Sequence, residues 1–160
     1  MPTLIGVDVS STFTADQLAS EGKGFSVGDR NVNHDGKEHV FVLAGAAITS
    51  TYACRYTAAY SAAHLSTSND ARGDLVGVAV ADIASGSYGW VQIKGPANLQ
   101  VLASCAANVR LNTTGTAGAL DDDGTATTMA VDGITLSTAR AASQGSAAAV
   151  LNYPSVGVTL

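Results

Sequence analysis

A chain of 160 residues makes one domain that buries roughly 70% of its unfolded surface, so its core does not depend on covalent staples. Charged residues make up 13%, about half the usual share, against 46% hydrophobic residues, and that balance excludes a disordered chain. A net charge of −5 with the basic residues scattered excludes a nucleic-acid partner, because that affinity rests on clustered Lys and Arg.

The N-terminal stretch, residues 1–24, carries a short apolar patch, Leu4, Ile5 and Val7, and ends in Gly22-Lys23-Gly24. It reads as an extended arm with a loop, and the domain proper spans 25–160. Phe25 to Val32 suits a strand. Asn33-His34-Asp35-Gly36 is a tight turn whose Asp-Gly pair favours positive φ, and Glu38 to Leu43 closes the hairpin. Between Ala44 and Ala63 the alanines favour a helix, whereas Ile48, Thr49, Thr51, Tyr52, Tyr56 and Thr57 favour extended chain; the balance predicts a strand over Thr51–Tyr60. Leu75 to Ala81 reads as a strand and Asp82 to Tyr88 as a Gly/Ser loop. Gly89 to Lys94 is a strand that Gly95-Pro96 is expected to end, because proline cannot donate to a ladder. Extended chain resumes at Leu99 and continues from Ser104 to Leu111, and Asn112 to Gly118 is a loop. Thr125 to Val131 and Ile134 to Ser137 flank Asp132-Gly133, a second hairpin signal. Thr138 to Ala149 holds one helical turn, Asn152-Tyr153-Pro154 breaks the chain, and Ser155 to Leu160 is a final strand. Many short strands between Gly, Pro and Asp-Gly punctuation give an all-β domain, a single compact β-barrel or β-sandwich.

The string Tyr88-Gly89-Trp90-Val91-Gln92-Ile93-Lys94-Gly95-Pro96, after a Val-Gly-Val-Ala strand and a glycine-containing loop, resembles a segment of the capsid decoration (head cement) proteins of tailed phages. The resemblance continues in order through Asp35 to Val42, Ala44 to Ile48, Ala117 to Asp123, Asp132-Gly133-Ile134 and Leu151 to Pro154, from about residue 25 to the end. It implies a structural virion protein that catalyses nothing. Such a protein is made in the host cytoplasm and binds the outer surface of the capsid, with the major capsid protein and itself, as a homotrimer at local threefold positions, for partners. The aromatic share of 6% fits association, since an alanine-rich core buries little apolar area per residue. Leu4, Ile5 and Val7 are the expected contact residues of the arm. Trp90 joins them as an anchor for core or subunit packing. The rival reading is another virion component, a head fibre, tail or host-surface module binding glycans through Tyr52, Tyr56 or Tyr60.

Other motifs have simpler explanations. His34-Asp35 beside Lys37 and Glu38 offers acid/base groups, but the turn already accounts for Asp35, and no nucleophile elbow accompanies His39 or His64. No catalytic residue and no cofactor is expected. Asp121-Asp122-Asp123 lacks the spaced ligands of a calcium loop and reads as a solvated acidic turn, with a hard cation as the alternative and no metal ligand assigned. Gly22 to Gly28 lacks the strand-loop-helix setting of a phosphate loop. Arg72-Gly73-Asp74 reads as a turn. Cys54 and Cys105 are expected as buried free thiols, pairing only if their Cα atoms approach within about 7 Å. Met1 to Ser11 lacks a secretory pattern, and no run of 18 apolar residues predicts a membrane span.

Overall fold

The computed structural model describes residues 7–20 and 24–160. Leu4 and Ile5 lie outside the described residues, as do Gly22 and Lys23. Among the described residues, one helix, α1 (Ala15–Ser20), precedes ten strands: β1 (Arg30–Val32), β2 (Glu38–Ala44), β3 (Ala53–Tyr56), β4 (Ser61–His64), β5 (Leu75–Ala79), β6 (Tyr88–Val101), β7 (Leu111–Thr113), β8 (Leu120–Asp121), β9 (Met129–Leu136) and β10 (Gly145–Thr159). All ten join one sheet, and the domain is all-β.

Within the stretch read as an extended arm, α1 forms because Thr14 and Gln17 cap it reciprocally. The Gln17 amide N–H donates to Thr14 Oγ1 at 3.2 Å, and the Thr14 N–H donates to Gln17 Oε1 at 2.8 Å. The Asn33–Gly36 turn joins β1 to β2 as its chemistry dictates, with Gly36 at φ +80° and its N–H donating to the Asn33 carbonyl. The strand expected over 51–60 is instead two strands, β3 and β4, folded at Thr57–Tyr60. Tyr60 adopts φ +57° there, and its ring returns to stack on Tyr56 at 6.2 Å. Ser104 to Arg110 is turns and bends rather than continued strand, and β10 begins within the segment expected to hold a helical turn.

Gly95-Pro96 does not end its strand. At Gly95, φ +92°, β6 leaves β2 and takes β10 as its partner, so the missing proline N–H falls where the strand changes neighbours. The Gln92 side-chain amide donates to the Lys94 carbonyl at 3.0 Å and the Pro96 carbonyl at 2.8 Å, bracing the kink. Asp132-Gly133 is likewise no hairpin. It lies inside β9, opposite Asn152-Tyr153-Pro154 of β10, where the register slips between Leu151 and Ser155. Gly133 at φ +80° and Tyr153 at φ +50° form the two sides of this bulge.

The pairings close two circuits that share β6. One runs β2, β4, β3, β5, β6 and back to β2; the other runs β10, β6, β8, β7, β9 and back to β10. Closure removes most of the free edges that an open sheet would expose. Strand alternation then fills two cores. Val40, Val42, Cys54, Tyr56, Val91 and Ile93 fill the first. Leu99, Leu111, Leu120, Val131, Leu136 and Leu151 belong to the second, which also takes Val76 and Val78 from the opposite face of β5.

A separate aromatic layer covers the outer face of β2 and β6. It gathers all three phenylalanines and the single tryptophan: Phe41 lies 4.9 Å from Trp90, and Phe25 meets Trp90 edge-on at 5.5 Å. Phe13 closes the layer against Phe25 at 5.9 Å and bridges Tyr88 through reciprocal backbone hydrogen bonds. Each such pair adds about 0.5–1.5 kcal/mol beyond its buried area, which ties Phe13 and Phe25 to the domain.

Candidate interaction surface

β10 alternates cleanly from Ser146 to Asn152. Ala147, Ala149 and Leu151 are buried, whereas Ser146, Ala148, Val150 and Asn152 face solvent. In register, Val150 sits beside Pro96 of β6 on one side and Thr135 of β9 on the other, and Ala148 sits beside Asn98. The result is a sheet face three strands wide built from short uncharged side chains. Val150, 48% exposed, is its ridge, flanked by open grooves of about 460 Å³ and 350 Å³. Small residues along the ridge allow a partner's backbone to come close, and the one charged side chain at its flanks is Lys37, at the edge of the larger groove.

At the border of this face the β9–β10 bulge throws Tyr153 outward. Its hydroxyl donates to Glu38 Oε1 at 2.8 Å, and Lys94 Nζ donates to the same oxygen at 3.0 Å while lying 5.3 Å from the Tyr153 ring centroid. Burial by itself would raise the Glu38 carboxyl; the hydrogen bonds from Tyr153 and Lys94 override it and hold the group below the usual carboxylate range. This cluster fastens β2, β6 and β10 at their junction.

The residues singled out in the sequence fall elsewhere. Val7 is partly exposed at the start of the described chain. Trp90 is 1% exposed beneath Phe25 and Phe41, so it anchors the chain's own aromatic layer and has no free face for a second molecule. Tyr56 is 4% exposed, Tyr60 stacks on it, and Tyr52 stacks on His64 at 5.2 Å, so these three rings pack within the fold and make no open platform. Arg72 is exposed, but the Asp74 carboxylate accepts from Arg55 at 2.6 Å and is not free for an adhesion contact. His34 is exposed in its turn, where Asp35 pairs with Lys37 at 3.2 Å. His39 is 2% exposed, its Nδ1 has no hydrogen-bond partner, and burial pushes its pKa down to about 4. His64 Nε2 accepts the Thr49 N–H at 2.9 Å. No described histidine is thereby paired with a nucleophile.

Both cysteines are free and buried, in different cores. Burial pushes the Cys54 thiol up to about 12. The acidic run divides. Asp123 accepts from Thr125 and from Asn112 Nδ2, and the Thr125 bond foremost holds its carboxyl below the usual range. Asp121 and Asp122 turn instead toward Cys105. Burial, followed by the neighbouring carboxylates, pushes the Cys105 thiol up to about 12, and burial raises Asp121.

The Val150 face escaped the sequence reading because alanine occupies both its buried and its exposed positions, which hides the period of two. The signal that remained was the flanking alternation of Leu151 and Asn152 with Val150. Comparison with known proteins adds no relative: no family model, no curated protein and no solved structure matches the chain.

Proposed function

We propose that the chain is a structural virion protein that binds the outer surface of a tailed-phage capsid, as trimers at local threefold positions, and stabilises the assembled shell. The observation that carries this reading is the uncharged, three-stranded face around Val150, presented on a closed β body whose described charged groups are largely engaged in its own turns and strand junctions. A face of this kind suits a fixed protein lattice, where many identical contacts act together. Each bound copy favours the assembled lattice over its separated subunits by mass action. The ordered resemblance from Asp35 to Pro154 supports the same reading.

The test is cosedimentation with shells assembled from the major capsid protein of the same genome. Saturable binding to expanded shells, lost on Val150→Glu, supports the proposal. Equal recovery of the wild type and Val150→Glu in the supernatant, with shells intact, refutes it.

A further inference from the structure

We propose that Cys105, Asp121 and Asp122 form a site for a divalent cation of borderline softness, such as Zn²⁺, that clips the turn after β6 to the end of β8. This goes beyond the capsid reading and stands or falls independently of it.

The site arises from topology. The parallel pairing of Val101 with Leu120 sets the ends of β6 and β8 side by side, so the turn that carries Cys105 meets the first two residues of the acidic run. One ligating atom from each of the three residues lies within 4.8 Å of the other two. Cys105 is 0% exposed, and its thiol, 4.0 Å from the Ala106 carbonyl, faces the Asp121 and Asp122 carboxylates. A wholly buried thiol from one segment thus meets two carboxylates from another. Charge balance leads to the same conclusion. Among the described residues, lysine and arginine pair with Asp35, Asp74 and Glu38, and none pairs with Asp121 or Asp122.

Ligand chemistry selects the cation. Three oxygens alone would favour Ca²⁺ or Mg²⁺, but a thiolate with two carboxylates favours Zn²⁺, with water completing a tetrahedron. Such a centre takes bonds of about 2.3 Å to sulfur and about 2.0–2.2 Å to oxygen. Binding exchanges the thiol proton for the metal: the S–H bond breaks, the sulfur–metal bond forms, and the proton leaves to solvent with no change of oxidation state. Asp123 stays outside the site, held by Asn112 and Thr125.

The experiment uses the full, tag-free chain under reducing conditions, titrated with Co²⁺ and then with Zn²⁺. The expected result is a thiolate-to-cobalt absorption band that saturates at one equivalent, is displaced by Zn²⁺, persists in Cys54→Ala and is lost in Cys105→Ala. Asp122→Asn weakens binding about tenfold or more. Absence of the band at millimolar Co²⁺, or its persistence in Cys105→Ala, overturns the proposal. Should Cys105→Ala fail to fold, an undiminished band in the Asp121→Asn/Asp122→Asn double variant overturns it equally.

Discussion

His39 makes the fold acid-sensitive by an amount that can be worked out in advance. The side chain is 2% exposed, its Nδ1 lacks a partner, and burial lowers its pKa from 6.5 to about 4, with Asp35 opposing and Lys37 reinforcing the shift. A histidine whose folded pKa is depressed costs nothing above the unfolded value. As pH falls through 6.5, the unfolded chain takes a proton that the folded chain refuses, and stability drops until the folded value near 4 is reached. At about 1.4 kcal/mol per tenfold change, the gap corresponds to about 3 kcal/mol; relaxation of the ring toward water leaves about 2 kcal/mol. Urea denaturation of the wild type and of His39→Gln at about pH 7 and about pH 4.5 measures this. The carboxylates titrate in both proteins, so the difference between the two pH slopes isolates His39. The wild type is expected to lose about 2 kcal/mol more than the variant across that interval. Identical slopes would refute the claim that a neutral histidine is sealed beside β1.

Other perturbations test separate features. Gly133→Ala places a Cβ 2.7 Å from the Asn152 carbonyl oxygen at φ +80°, and is expected to cost about 2 kcal/mol in chemical denaturation. A loss below about 0.5 kcal/mol would show that the bulge is not fixed as described. Since Trp90 is the only tryptophan, its fluorescence reports the aromatic layer directly: blue-shifted emission resistant to acrylamide is expected, and red-shifted, readily quenched emission would place the ring at the surface. Phe41→Ala removes a 0% exposed ring from the centre of that layer and is expected to cost about 3–5 kcal/mol, measured by urea unfolding. Val150→Glu, at a position 48% exposed, is expected to shift stability by less than about 0.5 kcal/mol while abolishing shell binding.

The local chemistry of the chain announced its turns more faithfully than its topology. Asn33 to Gly36 makes the hairpin its residues call for, because the strands on both sides are adjacent and short. Gly95-Pro96 and Asp132-Gly133 carry the same positive-φ chemistry, yet they kink long strands; only the partner strand decides whether such a pair reverses the chain or bulges it. At Gly133 the opposing Tyr153, also at positive φ, is 20 residues away, beyond the reach of a local signal. The Thr14 to Gln17 capping box was legible and was masked by the polar composition around it. The meeting of Cys105 with Asp121 and Asp122 depends on one parallel pairing between β6 and β8, which no spacing in the sequence encodes. The contact face was hidden for a different reason: alanine satisfies both the buried and the exposed side of a strand.

Cryo-electron microscopy of expanded shells incubated with the purified chain shows whether the Val150 face seats on the capsid. Trimeric density is expected over local threefold positions on the outer surface, with Val150, Pro96 and Thr135 against a neighbouring subunit. Bare shells at saturating protein, or density that leaves the Val150 face open to solvent on every side, would contradict it.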